Sequence, residues 1–267
     1  MYVAVDLGGT KTLVGVFKKD GSLLSSQRFE TPKNYGLFIR TLVQILKSIK
    51  HPIEKIAIAA PGRVNRNQGV VEGFGNLNWR NTPLKADIKK HFKVPIYIEN
   101  DANLAGLSEA QFITNSFKKV LYVTISTGIG TGIITNGIID PDFADSEGGQ
   151  IPLEHNGKIL AWEDFASGRS IQEKYGLLAS QIDDPKIWQE ITENIAIGII
   201  DLIAIIQPDI IIIGGGAVSV HFDRLGPLLK KELLRYETPL LPIPPIRQAK
   251  RPEEAVLFGC YELMKQS

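Results

Sequence analysis

The sequence predicts an α/β protein built from two related halves packed on a shared cleft. Three observations carry this. A strand, a glycine-rich turn and a second strand open the chain, and the pattern returns at an offset of 120 residues. Tyr2-Val3-Ala4-Val5-Asp6-Leu7-Gly8 then lies over Tyr122-Val123-Thr124-Ile125-Ser126-Thr127-Gly128. Short β-rich runs alternate with longer segments of helical apolar spacing. Asp209 is followed by Ile210-Ile211-Ile212-Ile213, continuously apolar as a central strand covered on both faces would be. A repeat of so long a period describes two halves rather than a solenoid, unless two hairpins are alike by chance.

The elements follow in order. Residues 2–5 are β-rich, Gly8-Gly9-Thr10 interrupts them, residues 12–17 resume the run, Lys19-Asp20-Gly21 turns, and residues 23–29 make a third strand. The offset places Asp20 over Asp140, in the turn that closes each hairpin. Phe38, Leu42, Val43, Ile45, Leu46 and Ile49 have helical spacing over residues 36–50. Residues 55–60 read as a buried strand ending in Pro61-Gly62. Residues 95–98 form a short strand ending in Glu99-Asn100-Asp101, with a helix over 102–112. In the second half helices are expected over 163–175, 188–206, 222–236 and 252–265, with a proline-rich connection at 238–245. The lobes are divided as residues 1–112 with 252–267, and residues 113–251.

Composition narrows the function. Hydrophobic residues make up 43% and charged residues 22% of 267 residues, which excludes a disordered or coiled-coil chain. Lys and Arg number 30 against 29 Asp and Glu, so a net charge of +1 provides no pull toward nucleic acid or an anionic membrane. The single cysteine, Cys260, excludes a disulfide framework and any multi-cysteine zinc or iron–sulfur site. The most apolar stretch, residues 195–213, is broken by Asp201, Gln207, Pro208 and Asp209. It falls short of the ~18 clean residues of a membrane span. The N-terminus has Asp6 where the apolar core of an export signal would lie, so a cytoplasmic protein is expected.

Four constellations carry chemistry. Asp6-Leu7-Gly8-Gly9-Thr10-Lys11-Thr12 places glycines in a tight turn where backbone can approach a phosphate. Thr10 and Thr12 add hydroxyls, Lys11 adds charge, and Asp6 could hold Mg²⁺ directly or through water; an ordinary glycine hairpin reads equally well. Ser126-Thr127-Gly128-Ile129-Gly130-Thr131-Gly132 stands at the repeat-related position, which suggests a nucleotide bound between lobes. Gly214-Gly215-Gly216 follows the central strand and either lets adenine or ribose lie against the backbone or fills a crowded strand–helix turn. In Glu99-Asn100-Asp101, Asp101 is either the N-cap of the next helix or a carboxylate that takes a proton from a substrate hydroxyl. Spacing leaves both open.

Six segments in order resemble the ROK family of bacterial sugar kinases, within the actin-like ATPase superfamily. These are the Asp6 segment, Ala60-Pro61-Gly62, Asn76-Leu77-Asn78-Trp79, Glu99-Asn100-Asp101-Ala102-Asn103, the Ser126 segment, and the run from Gln207-Pro208-Asp209 to Gly216. The resemblance implies a two-lobed actin-like ATPase (ribonuclease H-like) fold with a mixed five-stranded sheet in each lobe. It implies an ATP-dependent kinase acting on a hexose hydroxyl, glucose at the 6-position, with Asp101 as general base. Gly62, Asn76, Asn78, Asn100, Glu147, Gln150 and Glu163 would meet the sugar, with Asn103 beside Asp101. Gly8, Gly9, Thr10, Lys11, Thr127, Gly128, Gly214, Gly215 and Gly216 would meet ATP, and Asp6 would help place Mg²⁺ through water.

The sequence also departs from the family pattern. Many members carry Gly-Glu-x-Gly-His and a cysteine-rich loop that hold a structural zinc. Here Ser146-Glu147-Gly148-Gly149-Gln150 places Gln150 at the His position, and His155-Asn156-Gly157-Lys158-Ile159-Leu160-Ala161-Trp162 has no cysteine. Zinc is not expected, because Gln is a poor ligand and His155 cannot complete a tetrahedral site. Gln150 retains hydrogen-bonding capacity toward a sugar hydroxyl. A trimmed stretch at residues 177–187 leaves open whether a homodimer forms as in many members. The family's repressors carry a helix-turn-helix before the first phosphate motif; that motif begins here at Asp6, so no nucleic-acid partner is expected. A non-catalytic sugar-binding sensor of the same fold is the alternative. Trp79 reads as a sugar-stacking ring or a loop anchor, Arg63 as a substrate contact or a solvated side chain, and Cys260 as a buried thiol.

Overall fold

A computed structural model describes residues 1–267 apart from 76, 114, 252 and 253. Two compact units emerge, Met1–Ser108 with Glu253–Ser267, and Glu109–Pro252.

In the first unit the chain runs β1 (Tyr2–Leu7), β2 (Lys11–Phe17), β3 (Leu23–Glu30), α1 (Tyr35–Ser48), β4 (Lys55–Ala60), β5 (Gly62–Asn65), β6 (Val70–Phe74), β7 (Arg80–Thr82), α2 (Leu84–Lys89), β8 (Ile96–Asn100) and α3 (Asp101–Ala110), whose end passes into the second unit. A mixed five-stranded sheet is ordered β3-β2-β1-β4-β8, antiparallel through β1–β3 and parallel through β1, β4 and β8. The central strands are apolar because both faces are covered: Val3, Val5, Ile56 and Ile58 are fully buried. Helix α1 starts where Asn34 Oδ1 accepts the Leu37 N–H at 2.9 Å, and turns Phe38, Leu42, Val43 and Leu46 inward. The C-terminal helix Ala255–Gln266 packs on β1 and β4 and against α3, so close at Gly259 that a Cβ would lie 1.9 Å from the Leu104 carbonyl oxygen. That helix buries Cys260 completely, and burial pushes its thiol pKa up, as a structural cysteine requires.

The small β5-β6-β7 sheet has no counterpart in the sequence expectations. Its strands are short and only Val64, Val71 and Thr82 are buried, too few positions for a legible alternation.

In the second unit β9 (Lys119–Ile125), β10 (Ile129–Thr135) and β11 (Ile138–Ile139) precede the hairpin β12 (Pro152–His155) and β13 (Lys158–Ala161). Next come α4 (Trp162–Ala166), α5 (Gly168–Tyr175), α6 (Pro185–Ile206), β14 (Ile210–Gly214), α7 (Phe222–Leu234) and β15 (Ile246–Gln248). The sheet order β11-β10-β9-β14-β15, with the same strand directions, repeats the first unit. The two halves therefore correspond in topology as well as in sequence.

Three local expectations change. The hairpin in the second half turns at Asn136-Gly137, both at positive φ, so Asp140 does not occupy the turn as Asp20 does. It follows β11 and accepts the Thr135 hydroxyl at 2.7 Å. Residues 163–175 form two helices, because Ser167 is extended and its hydroxyl accepts the Ser170 N–H, which caps α5. Within residues 155–162, the remnant of a metal loop, Asn156 at φ 53° and Gly157 at φ 79° form a tight hairpin turn, and the rest is strand β13 and the start of α4. No helix among the described residues is long and apolar enough to cross a membrane.

Candidate active site

In the first unit, β1 and β2 stay paired to Leu7↔Thr12, leaving Gly8 to Lys11 as the turn. A Cβ on Gly8 would lie 2.6 Å from the Lys11 carbonyl oxygen, so the tight turn excludes a side chain there. Thr31 donates its hydroxyl to the Gly8 carbonyl at 2.8 Å, and Lys33 Nζ donates to the Gly9 carbonyl at 3.2 Å. Neither residue was singled out in the sequence, since both lie beyond the motif. Thr10 and Lys11 are exposed. Thr12 is not a hydroxyl for phosphate: it is fully buried and bonded to the Thr31 hydroxyl at 2.9 Å, because β2 alternates and Thr12 points inward. Asp6, near the end of β1, is partly buried with no hydrogen-bond or ion-pair partner among the described residues. Burial pushes its pKa up to about 6.

The second cluster of this unit lies where β8 meets α3. Asn100 Oδ1 accepts the N–H groups of Ala102 at 2.8 Å and Asn103 at 3.2 Å, so Asn100 caps the helix. Asp101, read as a cap or as a proton acceptor, is the first helical residue, and its Oδ1 accepts the Ala102 N–H at 2.8 Å. Asn100 Nδ2 donates to the Gly62 carbonyl at 3.2 Å. Gly62 must be glycine, with φ +144° and a would-be Cβ 2.1 Å from the Gly73 carbonyl oxygen. This draws Gly62, Asn100 and Asp101 together. Asn103 is buried and donates to Glu99 Oε1 at 3.0 Å. Asn78 is exposed between buried Leu77 and Trp79; Asn76 lies outside the described residues. Trp79 is an anchor, its indole N–H donating to the Lys33 carbonyl at 2.7 Å and its ring packed on Tyr35, Phe38 and Phe74. Arg63 pairs with Glu72 at 3.0 Å across β5 and β6.

In the second unit β9 and β10 pair to Ile125↔Ile129, so the turn is Ser126 to Gly128 and the glycines at 130 and 132 belong to β10. The Gly168 N–H donates to the Ser126 carbonyl at 2.7 Å, which ties the turn to the start of α5. Ser126, Thr127, Gly168, Arg169, Gln172 and Gly216 line part of a cavity of about 330 Å³. Gly214 and Gly215 do not line it. A Cβ on Gly214 would meet the Tyr122 hydroxyl at 2.4 Å, and one on Gly215 the Ile125 carbonyl oxygen at 2.2 Å, so both serve close packing on β9. Gly216 has nothing within 4 Å of a would-be Cβ, leaving backbone open to the cavity.

A polar group adjoins this turn. Glu163 Oε2 accepts the Ile129 N–H at 3.1 Å, and Gln150 Nε2 donates to Glu163 Oε1 at 2.8 Å. A Cβ on Gly128 would lie 2.5 Å from Glu163 Oε2. Glu163 is held because Trp162 beside it is fully buried, its indole N–H donating to the Asn194 carbonyl at 3.0 Å and its ring seated over Gly198 of α6. Glu147 is exposed and precedes the 3₁₀ turn Gly148–Gln150, whose Gly149 packs on the Ile129 carbonyl. Glu163 thus adjoins both Gly128 and Gln150.

Residues 2–267 match the ROK family. This chain belongs to the ROK family. It is 31% identical over 182 residues to a glucokinase of Streptomyces coelicolor, an alignment that covers 64% of this chain and 57% of that protein. The alignment therefore spans little more than half of that relative's length. An N-acetyl-D-glucosamine kinase of Haemophilus influenzae is 27% identical over 98% of this chain and 99% of its own. The crystal structure of a ROK family glucokinase from Streptomyces griseus in complex with glucose and AMPPNP superposes with a TM-score of 0.83 at 26% identity, covering 100% of this chain and 99% of that one. The fold is that of the actin-like ATPases, with a mixed five-stranded sheet in each unit.

The donor set of this ROK chain does not fit a structural zinc. Gln150 is engaged with Glu163, and the 152–161 hairpin closes on a backbone turn without a thiolate. Among the described residues no group of three or more His, Cys, Asp or Glu side chains is placed to hold a metal. His155 instead stacks on Phe165 with ring centroids 4.3 Å apart.

Proposed function

We propose that this protein is an ATP-dependent sugar kinase that phosphorylates a hexose, glucose at its 6-hydroxyl, with Asp101 as general base. The observation that carries the reading is the corner at Asp101, where a carboxylate opens a helix and its neighbour Asn100 is pinned by the helix N–H groups and by Gly62. Phosphoryl transfer asks the protein for a positioned proton acceptor and charge stabilisation, and little covalent chemistry. Asp101 takes the proton of the attacking hydroxyl. Asn78, Asn100, Glu147, Gln150 and Glu163, with Asn76, bind the remaining hydroxyls.

The glycine turns at Gly8 to Lys11 and Ser126 to Gly128 offer backbone to phosphate, and the cavity beside Thr127 and Gly216 takes the nucleoside, with Arg169 adding a cation. The glucokinase of known structure binds AMPPNP, which supports ATP as the donor. Asp6 suits Mg²⁺: it is a desolvated carboxylate without a cationic partner among the described residues, and Mg²⁺ characteristically takes one or two carboxylates plus water and phosphate oxygens. When bound, the ion would offset phosphate charge. One buried thiol and a need for ATP suit the cytoplasm. Relatives named for glucose and for N-acetylglucosamine make the C2 substituent the point of discrimination.

The test is ADP release with Mg-ATP over a panel of hexoses and N-acetylhexosamines, with Asp101→Asn beside the wild type. One sugar should support turnover, and the variant should lose about 10²–10⁴-fold. Near-normal turnover in the variant would refute Asp101 as base. Sugar-dependent thermal stabilisation without ADP release from any sugar would make the protein a non-catalytic sensor.

A further inference from the structure

Behind the Asp101 corner a buried carboxylate, Glu99, is paired with the half-buried Arg66. Glu99 is the residue of β8 just before Asn100, and only 5% of it is exposed. Arg66, in the turn after β5, grips it with both ends of its fork, Nε to Oε2 at 2.6 Å and Nη2 to Oε1 at 2.6 Å. The same Oε1 accepts the Asn100 N–H at 2.7 Å and Asn103 Nδ2 at 3.0 Å. Glu99 thus holds Asn100, just before Asp101, by its backbone and Asn103, two residues after it, by its side chain. Arg66 supplies the charge that lets this carboxylate stay buried.

We infer that Arg66 is a positioning residue for the transfer reaction, acting through Glu99 to hold the strand–helix corner that presents Asp101. The inference rests on Asp101 being the base. A carboxylate so buried is stable as an anion only while paired and hydrogen-bonded. Without Arg66, Glu99 loses its charge partner and turns toward water. That loosens its bonds to Asn100 and Asn103, and with them the cap that orients the first turn of α3. Displacing a reacting group by about 1 Å can cost about 10²-fold in rate. Lysine in place of Arg66 retains charge but not the planar two-point grip.

The test measures kcat and KM for ATP in Arg66→Ala, Arg66→Lys and Asp101→Asn, and in the double variant Arg66→Ala/Asp101→Asn. Assays run well below each variant's unfolding temperature and are normalised to folded protein. Arg66→Ala should lower kcat about 10–10²-fold and Arg66→Lys less, with KM for ATP within about twofold of wild type. In the Asp101→Asn background Arg66→Ala should cost nothing further, since two residues acting through one group are not additive. Multiplying losses would mean a general structural role and overturn the inference. A normal kcat in Arg66→Ala beside an inactive Asp101→Asn would overturn it while sparing the base. Full activity in Asp101→Asn would instead sink the base itself, and the inference with it. Should Arg66→Ala fail to fold, Arg66→Lys and Glu99→Gln carry the same comparison, alone and with Asp101→Asn.

Discussion

Replacing Asp6 by Asn should stabilise the fold at neutral pH while it removes kinase activity. The carboxylate is withdrawn from water near the end of β1 without a partner among the described residues, and burial raises its pKa from 3.8 to about 6. The folded protein therefore holds the proton more tightly than the unfolded chain does. The stability this contributes is complete below pH 3.8 and is lost as pH rises through about 6. Above that, ionised Asp6 costs the fold about 2–3 kcal/mol, since one pKa unit is worth about 1.4 kcal/mol and partial solvent access trims the total. Asn keeps the shape and is neutral in both states. The advantage of Asp6→Asn should grow from about 1 kcal/mol near pH 4.5 to about 2–3 kcal/mol near pH 7.5. That corresponds to roughly 4–10 °C in the unfolding temperature of a protein this size. Thermal unfolding followed by circular dichroism at the two pH values reads the difference, and ADP release at the higher pH reads activity. Saturating Mg-ATP should raise the wild-type transition more than that of the variant, because only the wild type offers the carboxylate. A stability difference that does not change between the two pH values would show that Asp6 is not the desolvated group described here, and full activity in the variant would remove it from the nucleotide site.

Two further predictions concern the polar group around Glu163. A Cβ at Gly198 would lie 2.2 Å from the Trp162 ring, so Gly198→Ala should overpack α6 by about 1–3 kcal/mol and raise KM for sugar by displacing Glu163; urea unfolding and initial rates check both. Gln150→Ala removes the donor to Glu163 and should raise KM for sugar by about 5–10-fold, the worth of about one hydrogen bond, with kcat and KM for ATP near wild type. An unchanged KM for sugar would remove Gln150 from the substrate site.

Much of the framework was legible in the chain because its signals are local. Alternating and continuous apolar runs mark β1, β2 and β14; helical spacing marks α1 and α6. The two glycine turns could be found from their own residues, and so could the strand–helix corner at Asp101. The repeated opening motif anticipated two related halves, each with a strand, a glycine turn and a second strand. What stayed hidden depends on partners distant in sequence. The strands β5 to β7 bury too few side chains to show a period, and β15 is a three-residue edge strand that exists through its parallel pairing with β14. The direction of Thr12, the seat of Trp162 on Gly198 and the contact of Glu163 with Gly128 and Gln150 were equally out of reach.

The sequence by itself determined which residues carry phosphate-type turns and carboxylates, because turn chemistry and apolar period are properties of neighbouring residues. Tertiary structure decided which of them are free to act. It turned Thr12 inward, committed Gly214 and Gly215 to packing, made Asn100 rather than Asp101 the helix cap, and brought Arg66 across 33 residues to Glu99. The physical reason is that a side chain's hydrogen bonds and charge partners are set by packing between elements, which local sequence does not encode.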